Sequence, residues 1–241
     1  MHAARAGAAG VVITGRNVER GARVVEQLEA AGSVGLFVPA ELADVEQCRD
    51  IVAQCDRKFG RIDGIVNAAA DTNRGTLDET TPEFWDQIFA VNVRAPFFII
   101  QEAVRVMRRE ELGGNIVNIL SVAAYCGMDN LVAYSSSKGA LKTLTKNTAN
   151  GLRQFRIRVN GINLGWTDTP AEHVVQAKQG SPDNWLQTAE SVSPFGRLIK
   201  PDDVAILCLY LLSDDSGVLT GSTIDYTQRV IGMFPPETGR N

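Results

Sequence analysis

The chain has 241 residues, 44% of them hydrophobic and 22% charged, with a formal net charge of -4. That suffices for one large domain with a sizeable core and gives no electrostatic reason to expect nucleic acid or an anionic membrane as partner. No apolar run approaches the roughly 20 residues that span a bilayer.

The start, MHAARAGAAG, lacks the long apolar segment of a secretory signal and reads as the end of a helix capped by Gly10. A strand over Val11 to Thr14 follows, then a turn at Gly15-Arg16-Asn17 and a helix from Val18 to Ala31 that stops at Gly32. Val34 to Val38 is a second strand. Asp44, with Gln47 three residues on, has the pattern of a capping box, and its helix runs to Phe59 before Gly60. Ile65 and Val66 form a third strand, broken by Asn67-Ala68-Ala69-Ala70. Thr81-Pro82-Glu83 opens a helical stretch reaching Glu110, with a kink expected at Pro96.

Ile116 to Leu120 is an apolar strand ending at Ser121, and a helix from Leu131 to Phe155 carries Tyr134 and Lys138. Ile157 to Ile162 is the fifth strand. Two short helical pieces, near Ala171 to Lys178 and Asn184 to Glu190, interrupt an irregular segment. Pro201 starts a helix to Leu212, and Ser222 to Tyr226 is a last strand. Strands alternating with helices, each strand apolar on both faces, predict a doubly wound α/β fold with a parallel sheet in one domain.

In such a sheet, ligands bind outside the carboxyl ends of the strands. The polar residues Arg16, Asn17, Glu41, Asn67, Ser121 and Thr167 all follow strands and so fall on one rim. Tyr134 and Lys138, one helical turn apart, share a helix face. Alone they are ordinary helix residues. Together with Ser121 they bring a phenol, an ammonium and a hydroxyl to one place, which suits proton transfer to or from an alcohol or carbonyl oxygen.

These residues resemble the short-chain dehydrogenase/reductase family over nearly the whole chain. Tyr134 and Lys138 match its Tyr-x-x-x-Lys signature, Ser121 its catalytic serine, and Asn92 in Ala90-Val91-Asn92-Val93 its helix asparagine. Asn67 to Ala70 loosely match its Asn-Asn-Ala-Gly motif. Leu164-Gly165 stands at its Pro-Gly turn, with Thr167 and Thr169 following. The resemblance implies a Rossmann-type sheet and hydride transfer between a nicotinamide cofactor and a secondary alcohol or ketone, with Tyr134 as general acid/base. Lys138 lowers the phenol's pKa and holds the cofactor ribose, Ser121 binds the substrate oxygen, and Asn92 feeds a proton relay. Cofactor contacts are implied at Arg16, Asn17, Glu41, Leu42, Asn67, Ala68, Ala69, Tyr134, Lys138, Gly165, Thr167 and Thr169. Arg16, with no acid beside it, favours NADP over NAD.

The resemblance also implies a strand and a Thr-Gly-x-x-x-Gly-x-Gly turn ahead of the first helix. This chain starts inside that helix, so the expectation is a sheet without its usual first strand, between the strands at Val11 and Ile65, and weak dinucleotide binding. The other reading is a catalytically silent homologue that serves as a binding or scaffold protein. Residues 163–200 form the expected substrate lid within a single domain spanning 1–241, with Trp166, Trp185 and Phe195 favouring a partly apolar substrate. Family members form tetramers or dimers, so a homo-oligomer is expected. Cys48, Cys55, Cys126 and Cys208 show no C-x-x-C pairing and read as reduced, packed thiols, which suits a cytoplasmic protein. His2 and His173 lie in no ligand cluster, so no metal is expected.

Overall fold

A computed structural model describes residues 1–232. The described strands are β1 (Gly10–Gly15), β2 (Val34–Pro39), β3 (Gly64–Asn67), β4 (Gly114–Ser121), β5 (Ile157–Leu164) and β6 (Thr223–Tyr226). All pair in parallel, in two hydrogen-bonded sheets: β1 with β2, and β3-β4-β5-β6. Among the described residues β1 and β3 share no ladder. Parallel pairing sends every carboxyl end to the same rim.

The helices cover two faces. On one, α3 (Val45–Phe59), α5 (Ala95–Arg109) and α6 (Val132–Leu152) pack on the strands. Ile100, Val104 and Met107 of α5 meet Ile116, Val159 and Ala149 there. Ile99 joins the two sheets: it packs with Val12, Val38 and Ile51 on one side and with Ile65, Val52 and Ala103 on the other. On the opposite face α9 (Pro201–Leu212) sets Cys208 and Leu211 against Val117, Ile119 and Ile162. There α2 (Val18–Ala30) lies close to β2, where a side chain in place of Gly21 would strike Phe37. The short α1 (His2–Arg5) ties to α9 through His2 and Asp202, 2.6 Å apart.

Local signals set the helix ends. Thr81 caps α4 (Pro82–Phe89), with Pro82 at the first helical position, and Gly60 ends α3 in the left-handed region at φ 71°. Asp44 caps α3 by accepting from the Glu46 and Gln47 amides. The capping box is not closed, because the Asp44 amide already bonds to the Glu41 carbonyl. Gln47 instead accepts from the Glu41 amide at 2.8 Å and donates to Asp44 at 3.0 Å.

The kink expected at Pro96 takes the form of a π-helical turn over Ala90–Arg94 between α4 and α5. Pro96 has no N–H to return to the carbonyl four residues back, and the Ala95 amide bonds to Ala90, five residues back. The extra backbone of this turn carries Asn92, which is buried. Among the described residues no helix is long and apolar enough to cross a membrane. Cys48 and Cys208 are buried and burial pushes each thiol up to about 11; all four cysteines are free.

Candidate active site

Ser121 is the last residue of β4, and its hydroxyl accepts from the Ala123 amide at 3.1 Å, which turns the chain away from the sheet. The first turn of α6 holds Tyr134, whose phenol feels the Ser121 hydroxyl. Burial raises the phenol's pKa above its usual value, and the Ser121 contact opposes that rise. The negative charge of Glu172 pushes the same way as burial, and the positive charge of Arg74 pulls against it.

Lys138 sits one turn further on and is 2% exposed. Its Nζ donates to the Ile119 carbonyl at 2.8 Å and lies 5.8 Å from the centre of the Tyr134 ring. Burial pushes the ammonium down to about 8. Burial is the largest influence on the phenol, and the Lys138 amine is engaged by a backbone carbonyl of β4.

Asn92 is fully buried. Its Oδ1 accepts from the Asp71 amide at 2.7 Å, while its Nδ2 donates to the Asp71 carbonyl at 2.9 Å and to Ser137 Oγ at 3.0 Å. Ser137 in turn donates to the Tyr134 carbonyl at 2.7 Å. The π turn is thereby tied to α6 between Tyr134 and Lys138. Beside it Asn67 Nδ2 donates to Asn118 at 2.8 Å, and Asn118 donates to Thr145 at 2.9 Å. The sequence reading gave Ser137, Thr145 and the buried Asn118 no role of their own. An Asn amid the apolar run of β4 is the one visible signal among them.

The remaining rim residues divide by use. Arg16 is 80% exposed at its side chain and stands 3.6 Å from Glu41, a surface pair too weak to resist exchange for a phosphate. Asn17 is committed to capping α2 through the Arg20 amide at 2.8 Å, and Leu42 turns its side chain into the core. Ala68, Ala69 and Ala70 are exposed. Gly165 has no room for a side chain, because a Cβ would lie 2.7 Å from Thr227 Oγ1. Thr167 donates to the Gly165 carbonyl at 3.0 Å, and Thr169 caps α7 (Pro170–Lys178). Trp166 stacks on Trp185 of α8 (Trp185–Ser191) with ring centres 6.0 Å apart, and His173 meets Trp185 edge-on at 4.9 Å. Phe195 is exposed.

The donor set fits the nicotinamide-ribose end of a dinucleotide: a buried ammonium, a phenol, and an open strip of small residues at Ala68 to Ala70. Arg16 fits the other end. Among the described residues, the strand-to-helix turn at Gly15-Arg16-Asn17 is not a glycine-rich phosphate cradle, since Asn17 itself occupies the start of α2.

The family model described as enoyl-(acyl carrier protein) reductase matches residues 1–227. A 3β-hydroxysteroid dehydrogenase of Mediterraneibacter gnavus is 33% identical, over 93% of this chain and 86% of its own. An oxidoreductase of Thermotoga maritima is 34% identical, over 89% of this chain and 84% of its own. The L-sorbose reductase of Gluconobacter frateurii, solved with NADPH and L-sorbose, superposes with a TM-score of 0.88 at 27% identity, covering 96% of this chain and 90% of that one. Likeness of this extent in sequence and in fold shows that the chain belongs to the short-chain dehydrogenase/reductase family of NAD(P)-dependent oxidoreductases.

Proposed function

We propose that this protein interconverts a secondary alcohol and a ketone, with Tyr134 as general acid/base. The observation that carries the reading is the placing of Ser121 at the end of β4 and of Tyr134 and the buried Lys138 in the first turns of α6, at the carboxyl rim of the sheet. The nicotinamide group supplies the hydride when it is bound. Ser121 hydrogen-bonds the substrate oxygen and stabilises charge as it develops there. Tyr134 Oη gives its proton to that oxygen in reduction and receives it in oxidation. Burial keeps the phenol protonated at neutral pH, the form that serves reduction.

Lys138 holds the cofactor ribose in this reading, alongside Asn67, Ala68, Ala69 and Gly165. Asn92 fixes the register of α6 and leads toward the proton relay. Arg16 selects NADP through its 2′-phosphate, and NAD is the other candidate. The whole of 1–241 acts as one domain, with 163–200 as the substrate lid. A cytoplasmic homo-oligomer, tetramer or dimer, built on α5 and α6 is in keeping with the exposed Phe97.

The second reading is a silent homologue that serves as a binding or scaffold protein. Titration with NADPH and NADH, followed by assay on a panel of ketones, separates the two. NADPH binding with ketone-dependent oxidation of the cofactor supports the enzyme. Absence of both would leave the silent reading.

A further inference from the structure

One ion pair reaches from the lid to the wall of the site. Arg74 lies in the loop after β3, and Glu172 in the first turn of α7. Arg74 Nη2 is 3.2 Å from Glu172 Oε1, and Nη1 donates to Gln179, the residue that closes α7, at 2.6 Å. A single guanidinium therefore grips the lid helix at both ends. The same Glu172 oxygen accepts from Trp166 Nε1 at 2.9 Å and from Gln176 Nε2 at 2.7 Å.

The two side chains are only 19% and 13% exposed, so the pair is shielded from solvent far more than a surface salt bridge. The loop that carries Arg74 is anchored to the catalytic wall. Asp71 is bound through its backbone to Asn92, and the Gly75 amide donates to the Asn130 carbonyl at 2.9 Å, just ahead of α6.

The negative charge of Glu172 raises the Tyr134 pKa and the positive charge of Arg74 lowers it. The other charges nearby are engaged or set apart. Glu79 is held by Thr76, Asp168 by His173 and Lys200, and Lys138 by the Ile119 carbonyl. Lys178, at the far end of α7, borders the same hollow as Arg74.

We propose that Arg74 and Glu172 are positioning residues whose shielded ion pair clasps the lid helix α7 to the loop after β3 and so to the catalytic wall. The proposal rests on the role given to Tyr134 above. It predicts two coupled effects. Breaking the clasp from either side loosens α7. Removing one charge exposes the other to the phenol, so the two single changes move its titration in opposite directions.

The test uses the full chain with 13C-labelled tyrosine rings and no cofactor, so it stands apart from whether turnover is found. The Tyr134 signal is assigned with Tyr134→Phe, and circular dichroism confirms folding over the pH range. Arg74→Gln should raise the Tyr134 midpoint and Glu172→Gln should lower it. Both should speed amide hydrogen exchange in α7, and Arg74→Gln/Glu172→Gln should bring the midpoint back near that of the parent. Arg74→Lys, which keeps the charge and loses the two-ended grip, should loosen α7 with little change in the midpoint. Midpoints that move together or stay still, or exchange in α7 that is unchanged, would overturn the proposal.

Discussion

Lys138 and Tyr134 share a helix face, yet the lysine amine stands 5.8 Å from the centre of the tyrosine ring and bonds instead to the Ile119 carbonyl. The ammonium is buried and anchored to β4, one turn along α6 from the phenol.

Tyr134→Phe removes the exchangeable proton and keeps the ring. Ketone reduction should fall by about a hundredfold or more, within the range of general acid catalysis. Binding of NADPH, followed by fluorescence titration, should change little. Undiminished kcat in this variant would remove Tyr134 from the chemistry.

Lys138 leads to a pH prediction. Its folded pKa is depressed to about 8 from 10.5, so between these values the unfolded chain holds more protons than the folded one. Stability should therefore rise with pH across that window, by on the order of 3 kcal/mol for a fully buried group. Below about pH 8 the charged amine is a burden on the fold. Urea unfolding of the parent and of Lys138→Met at several pH values checks this. The parent should gain on the variant as pH rises, and parallel profiles would refute the assignment.

Asn92 makes three hydrogen bonds while fully buried. Asn92→Ala should destabilise the fold by about 2 to 4 kcal/mol, because the Asp71 amide and carbonyl are left without partners. Asn92→Asp keeps the acceptor but loses both donated bonds, so it should fall short of the parent as well. A melting temperature equal to the parent's for the alanine variant would contradict this account of the π turn.

Arg16 tests the cofactor proposal. Exposed and weakly paired with Glu41, it is free to meet a 2′-phosphate. Arg16→Gln should weaken NADPH by about tenfold, the equivalent of one charged contact of ~1.4 kcal/mol, and leave NADH nearly unchanged. Equal losses for both cofactors would place the arginine elsewhere in the binding mode.

Much of the fold was legible because its signals are local. Thr81-Pro82, Asp44 and Gly60 mark helix ends through backbone geometry that neighbouring residues dictate, and the helices start and stop there. The rim was legible too, since parallel strands send every carboxyl end one way. Asn92 was read as a helix residue near a proline. Its place in a π turn follows from the missing N–H of Pro96, but its partners Asp71 and Ser137 come from distant segments.

Sequence alone therefore determined the alternation of strands and helices, the α/β class, the place of Ser121 at a strand end and the shared helix face of Tyr134 and Lys138, because helical and strand periodicity fix which face a side chain takes. Only the tertiary structure decided what those residues meet. The buried Lys138 amine bonds to the Ile119 carbonyl of β4. Arg74 and Glu172, 98 residues apart, become a shielded ion pair only once α7 packs against the loop after β3. Neither periodicity nor spacing encodes such a contact. It depends on where two separate segments come to rest against the same sheet.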